Sequence, residues 1–472
     1  MLRPSQQNAA LLDWLVLTIY TRPQVACDVP PYTRDERGPA FVFLVVVLAE
    51  LVYRHARKIA ALLSRPELWP TILLFIPKIN LISFGNETAG IRFDDVVLLS
   101  VAAFLLSGWV IKLDFTIDPV PATGLAVVAV FGVSNLLNAG HSNFLYSLRL
   151  VEYLIFYWSG KCFIQSRYDF SFLVKLLIVV NCAFILFQYA GIVGGFTADG
   201  YESALSRPFG LSANHPAEMG ALLNILFAAL AFGPTAATRF WYWCSFITLS
   251  IFITGSRSAL FAHCLLTLVH VYRDSRNKTD FALRATAITG ALIAVLALIP
   301  SSASTRSSDL LSWQNVEAIR TVYDNIPVEK EFTGFVEGGG SQEAPEDVDV
   351  SWYMRGFKWM HVVKIMFTAS WTVWIFGLGP GALGPALDGG WLRLIGETGV
   401  VGMLAFITLL RRISGLNLSC SMAALALAVN MLMIDSQNAY KVMAFLFFLV
   451  GTQVQAALKK AHVAVAELPL DS

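Results

Sequence analysis

Apolar runs of bilayer-crossing length recur along most of this chain, and no other feature narrows its folding choices as far. They lie near residues 9–20, 38–53, 69–83, 93–111, 122–138, 148–165, 171–194, 211–232, 239–254, 257–272, 284–300, 391–410, 416–434 and 440–457. A helix of about 20 apolar residues covers the hydrocarbon core. The pattern therefore predicts an all-α, polytopic integral membrane protein of about 12–14 transmembrane helices, with tilt or half-spans where runs are short. Composition agrees: 56% of the 472 residues are hydrophobic and 14% charged, against about 45–50% and 25% in soluble domains. That balance excludes a soluble enzyme with a membrane tail, a nucleic-acid binder and a disordered scaffold. A net charge of +1 offers polyanions no basic face. Cys162, Cys182, Cys244, Cys264 and Cys420 sit in or beside apolar runs and read as small buried hydrophobes, not as a disulfide framework.

Cationic residues set the expected orientation. Arg54, Arg57, Lys58 and Arg65 follow the second run, and Arg273, Arg276, Lys278 and Arg284 follow the tenth. Arg411 and Arg412 follow the run at 391–410, and Lys459 and Lys460 follow the last. With these on the cytoplasmic side, alternate loops agree, both termini are cytoplasmic and residues 301–390 lie outside. The chain reads as one membrane domain in three stretches: an N-terminal transmembrane bundle (1–300), an external loop with short helices (301–390), and C-terminal transmembrane helices with a cytoplasmic tail (391–472). Arg3 and the stretch Ala9–Tyr20, interrupted by Asp13, read as a short first crossing or interfacial helix rather than a cleaved signal. The acidic, Gly-rich stretch Glu329–Asp349 lacks EF-hand spacing and reads as a solvated loop. HExxH, paired Cys or His spacing, GxSxG and the dinucleotide fingerprint are all missing, so no metal and no cofactor is expected.

Arginines on the external side run against the positive-inside rule and so carry information. Arg207 precedes Pro208-Phe-Gly210, with Asn214, His215 and Glu218 close behind. It holds an anion there, or it snorkels and pairs with Glu202 or Glu218. Arg257 sits in the hairpin Gly255-Ser-Arg-Ser258, as an anion ligand or a plain anchor. Arg355 belongs to an amphipathic, aromatic-rich segment, residues 351–361, suited to the interface; Lys358 shares its face and His361 points away. Arg149 and Glu152, three apart, read as a mutually neutralising pair, as does Arg92 beside Asp94 and Asp95. Asp388 ends a Gly-Pro-rich loop, as the N-cap of the next helix or as a base at the membrane surface; Arg393 follows it.

Taken in order, Ile91-Arg-Phe-Asp-Asp95, Leu148-Arg-Leu-Val-Glu152, Arg207-Pro-Phe-Gly210 with Asn214-His-Pro216, Gly255-Ser-Arg-Ser258, and a late external loop ending in Arg355, Gly377-Leu-Gly-Pro-Gly381 and Glu397-Thr-Gly399 resemble the O-antigen polymerase and O-antigen ligase family of bacterial inner-membrane glycosyltransferases. The resemblance spans about residues 40–455. It implies a GT-C-like fold and metal-independent transfer between undecaprenyl-pyrophosphate-linked oligosaccharides, donor and acceptor, at the periplasmic face of the inner membrane. It assigns Arg207 and Arg355 to the donor pyrophosphate and Arg257 to the Ser-Arg-Ser turn. Ligases of the family carry a histidine where this chain has Asp388, which tilts the expectation toward a polymerase of O-antigen or exopolysaccharide units. Asp388 and His215 are then the candidate catalytic residues; His361 is a further candidate. Asn214, Glu218, Lys358 and Arg393 complete the candidate set. A chain-length regulator and a flippase are the implied protein partners. The alternatives are a ligase that moves glycan onto lipid A-core and, more distantly, a transporter or flippase of lipid-linked glycans or small anions.

Overall fold

The computed structural model describes residues 64–77, 80–83, 90–112, 117–138, 144–194, 207–233, 240–298, 350–384 and 387–466. The first two apolar runs, the N-terminal interfacial segment, the acidic stretch at 329–349 and both termini lie outside the described residues. The described residues belong to one unit of the chain, Val52–Ser472.

They are almost wholly helical. After a 3-10 turn at Pro66–Leu68 come α1 (Trp69–Leu73), a small hairpin of β1 (Asn80–Ser83) and β2 (Gly90–Arg92), then α2 (Phe93–Lys112), α3 (Pro119–Leu137), α4 (Phe144–Gln165) and α5 (Phe170–Tyr189). Next are α6 (Pro216–Ala231), α7 (Phe240–Thr254), α8 (Arg257–Asp274) and α9 (Lys278–Leu298). The chain continues through α10 (Val350–Thr368), α11 (Trp371–Phe376), α12 (Gly390–Ser414), α13 (Leu418–Asn430) and α14 (Tyr440–Ala466). The hairpin is antiparallel, pairing Asn80 with Arg92 and Ser83 with Gly90.

Among the described residues, α3, α5, α12 and the Tyr440–Lys459 part of α14 are long and apolar enough to cross a membrane, by length and composition. α6, α7 and α13 are apolar but shorter. Leu99, Leu136, Leu283 and Phe367 are each more than 70% exposed, which suits a surface facing lipid rather than water. The molecule is thus a helical, multi-pass membrane protein. The run near 69–83 departs from expectation: it is no crossing but a five-residue helix and a strand. Pro77 removes an amide donor and biases Ile76 away from helix, which ends the run early. The amphipathic segment expected at 351–361 is longer, reaching Thr368.

α6 stands at the centre, with every residue from Met219 to Ala231 buried; it packs against α13, α7, α14, α8 and α5. α4 lies along α14, and α12 along α3. The α4–α14 contact is close because two glycines face backbone. A Cβ on Gly160 would come within 2.2 Å of the Phe448 carbonyl oxygen, and one on Gly451 within 2.0 Å of that of Tyr157. Small residues allow such approach where lipid removes any hydrophobic drive between helices. Tyr153 stands beside Tyr440 (centroids 6.2 Å apart) and Phe163 beside Phe448 (5.5 Å), so α4 and α14 run parallel. Asp118, at the start of α3, meets Lys161 near the end of α4, while Ser134, near the end of α3, meets the carbonyl of Glu397. The first turns of α4, α12 and α14 therefore point one way. Arg411, Arg412 and Leu458 share a cavity at the other end.

Candidate functional site

Two amides inside α5, the most apolar of the four crossing-length helices, hold the segment that carries Arg207. Asn181 and Gln188, both fully buried on α5, lie seven residues apart and so share a helix face. The Gln188 Oε1 accepts the N–H groups of Phe209 (3.0 Å) and Gly210 (2.9 Å), and its Nε2 donates to the Gly210 carbonyl (2.9 Å). The Asn181 Oδ1 accepts the N–H of Ser212 at 2.9 Å and of Leu211 at 3.2 Å. Buried backbone amides need partners, and with no strand available, side-chain amides supply them. Gly210, at φ +71°, makes the turn.

The segment ends at His215, the N-cap of α6, whose Nδ1 accepts the N–H of Ala217 at 3.1 Å. That cap assigns the proton of a neutral imidazole to Nε2. His215 lies before the apolar helix begins. Burial, together with the guanidinium groups of Arg207 and Arg355, pushes it down to about 4, against the opposing pull of Asp388. The charges of three separate chain segments thus bear on one imidazole. At neutral pH it is an uncharged donor.

Arg355, on α10, and Asp388 meet with Nε 3.3 Å from Oδ2, both side chains about 30% exposed (29% and 32%). One turn further along α10, the Trp359 indole donates to the Asp388 carbonyl at 3.2 Å. Asp388 is not the N-cap of α12; Gly389 occupies that position. Its backbone is left-handed, with φ +59°. The same turn is held by Asp435, which accepts three consecutive amides: Leu387 (2.9 Å), Asp388 (3.3 Å) and Gly389 (3.1 Å). Asp435 also faces Arg393 at 3.5 Å, and Arg393, 1% exposed, faces Glu397 at 3.6 Å and donates to the Gly384 carbonyl. Arg393 is therefore a buried brace beneath Asp388.

The other candidates divide. Arg257 opens α8, whose first turn packs on the first turn of α6: a Cβ on Gly220 would sit 2.4 Å from that of Ala259. It lies at the same end of the bundle as His215. The Glu218 carboxylate faces the N–H of Asn214 at 3.4 Å, and its charge also bears on Lys441. Lys358 is one turn from Arg355 on α10. His361 is buried beside Phe357 (centroids 6.3 Å) and Lys364, away from this cluster, as its position on the helix predicts.

A second charged group lies beside the first. Arg92 meets Asp95 at 3.4 Å and Glu152 at 3.9 Å and stands over the Tyr440 ring at 5.1 Å. Lys441 meets Asp94 at 3.3 Å and donates to the Leu73 carbonyl. Arg149 does not pair with Glu152 as the local spacing predicts; it stacks on Tyr146 at 4.9 Å, and Glu152 turns to Arg92. Each carboxylate of the Asp94-Asp95 pair thus has its own cation. Among the described residues no group of three or more His, Cys, Asp or Glu side chains is placed to hold a metal ion.

Sequence reasoning found Arg207, His215, Arg355 and Asp388, which electrostatics here link. It missed Asn181, Gln188 and Asp435, which position them. Two amides within a helix of hydropathy 2.5 were the available signal for the first two. No protein-family model matches the chain, and no curated protein is similar to it.

Proposed function

We propose that this protein is a glycosyltransferase of the GT-C-like kind, with about 12–14 crossings, that joins undecaprenyl-pyrophosphate-linked repeat units into polysaccharide at the periplasmic face of a bacterial inner membrane. What supports the reading is the Arg355–Asp388 pair at 3.3 Å, whose charges, with that of Arg207, bear on His215 at one end of a helical bundle. Two guanidinium groups from separate segments suit a diphosphate, which they contact bidentately and keep contacting at any working pH. Asp388 is the carboxylate beside them.

In this mechanism the hydroxyl of an acceptor unit attacks the anomeric carbon of the donor glycan. The C–O bond to pyrophosphate breaks, the lipid pyrophosphate leaves with the electron pair, and the acceptor proton passes to Asp388. Donor binding draws Arg355 toward phosphate and releases the carboxylate for that task. The arginines offset charge developing on the leaving group, with Arg257 at the same mouth. His215, protonated on Nε2 by its own cap, serves as a hydrogen-bond donor rather than as the base. Arg393 and Glu218 act as braces, Lys358 and Asn214 as rim contacts. A flippase supplies the lipid-linked unit, and a chain-length regulator is the expected protein partner.

The test is reconstitution of the full chain with a defined lipid-linked repeat unit, followed by product sizing. A ladder of lengthening glycans is expected. Transfer only when lipid A-core is supplied would make it a ligase, and movement of intact donor across the bilayer without new glycosidic bonds would make it a transporter.

A further inference from the structure

At the opposite end of the bundle, α3, α4, α12 and α14 enclose a cavity of about 720 Å³. That volume is in the range of pockets that take small molecules, about 300–1,000 Å³. One wall is apolar, built from Val120, Leu416, Val454 and Leu458; the rim carries Arg411 and Arg412. Neither arginine is ion-paired among the described residues.

The one carboxylate in the lining is already engaged. Asp118 accepts from Lys161 at 2.7 Å and from the Tyr157 hydroxyl at 2.6 Å. Burial works against its ionised form, but the Lys161 and Tyr157 contacts outweigh burial and hold it below the usual carboxylate range. Asp118 therefore stays ionised and matched by Lys161, and the two arginines are left as an excess of positive charge over an apolar wall.

We propose that this cavity binds the phosphate-bearing headgroup of an anionic membrane phospholipid, with its acyl chains leaving along the apolar wall. Placement favours a lipid over a soluble phosphate. The cavity is flanked by the ends of two helices apolar enough to cross a membrane, α12 and α14, at the level where basic residues meet lipid phosphates. The site is separate from the one around Asp388: Arg393 and Arg411 stand near opposite ends of α12, 18 residues apart, on either side of the break at Gly399. It does not depend on the glycosyltransferase reading.

The experiment is native mass spectrometry of the full chain after exchange into phosphatidylglycerol or phosphatidylcholine, with thermal melting in parallel. Selective retention of phosphatidylglycerol is expected, with a drop of about tenfold or more in R411Q/R412Q. Should that variant not fold, Val454→Phe, which fills the cavity and keeps both arginines, carries the test with the same expected loss. Equal retention of the two lipids, or undiminished phosphatidylglycerol in the folded variants, overturns the proposal. Stabilisation by glycerol phosphate equal to that by the lipid overturns the lipid assignment.

Discussion

Arg355 and Asp388, 33 positions apart, face each other with Nε 3.3 Å from Oδ2, both partly open to solvent. An exposed pair of this kind contributes little to stability, about 0–1 kcal/mol, so its value is in what each partner does once separated. Arg355→Ala should leave the melting temperature near that of the parent yet lower polymer turnover by about 10²–10³. Arg355→Lys should recover part of it, because an ammonium lacks the planar fork. Asp388→Asn should lower kcat with KM nearly unchanged. Steady-state kinetics on reconstituted protein checks all three, and full turnover in Arg355→Ala would sink the donor assignment.

His215 makes folding sensitive to acid. Its ordinary value of 6.5 falls to about 4 in the folded chain, so between those limits the unfolded chain binds the extra proton. Stability is then complete above pH 6.5 and declines as pH falls toward 4, by up to about 3 kcal/mol. His215→Asn keeps a good cap for α6 and removes the titration. Melting temperature followed from pH 7 to pH 4 should fall less steeply in the variant; parallel curves would exclude His215 as the cause.

Helix positions were legible because hydrophobic length is a local property, and the apolar runs mark most helices within a few residues. Arg207 and Arg355 were singled out for a related reason: in the orientation that the loop cations suggest, a cation on the opposite side stands out residue by residue. Partners were not legible. Spacing of three suggested Arg149 with Glu152, whereas Glu152 pairs with Arg92, 60 positions away at the end of β2, a contact that no periodicity encodes. Asp435 fell between two apolar runs with nothing beside it to mark the three amides it collects from 47 residues upstream. Pro77 was visible, but the apolar count around it masked its effect.

Asp435 supports Asp388 through the backbone of its turn. Its carboxylate gathers three amides and faces a guanidinium that is 1% exposed. Removing one partner of a buried charge pair costs about 3–5 kcal/mol, so Asp435→Ala should melt far below the parent. Asp435→Asn keeps shape and some acceptor capacity and should fold. With the turn loosened, the left-handed Asp388 relaxes, and kcat should fall while donor KM stays close to the parent value. A variant that melts lower but keeps its kcat would leave Asp435 with a structural role alone.

Gly399 breaks α12, with φ +66° and ψ −170° inside the helix, a conformation open essentially to glycine alone. The break exposes carbonyls that the segment after α11 then takes: Leu378 and Gly379 donate to Gly396 and Glu397 at 2.9 Å each, and the Ser134 hydroxyl reaches the same Glu397 oxygen at 3.0 Å. A Cβ on Gly399 would lie 2.2 Å from the Ile375 carbonyl oxygen. Gly399→Ala therefore meets backbone strain of about 1–3 kcal/mol and a backbone clash together, and should unfold the region or push that segment off α12. Gly132 is the control: it sits within α3 with nothing inside 4 Å of its Cβ position. Gly132→Ala should be neutral or stabilising by up to about 1 kcal/mol. Detergent melts of the two variants should differ widely; equal melts would mean that the break in α12 does not depend on glycine.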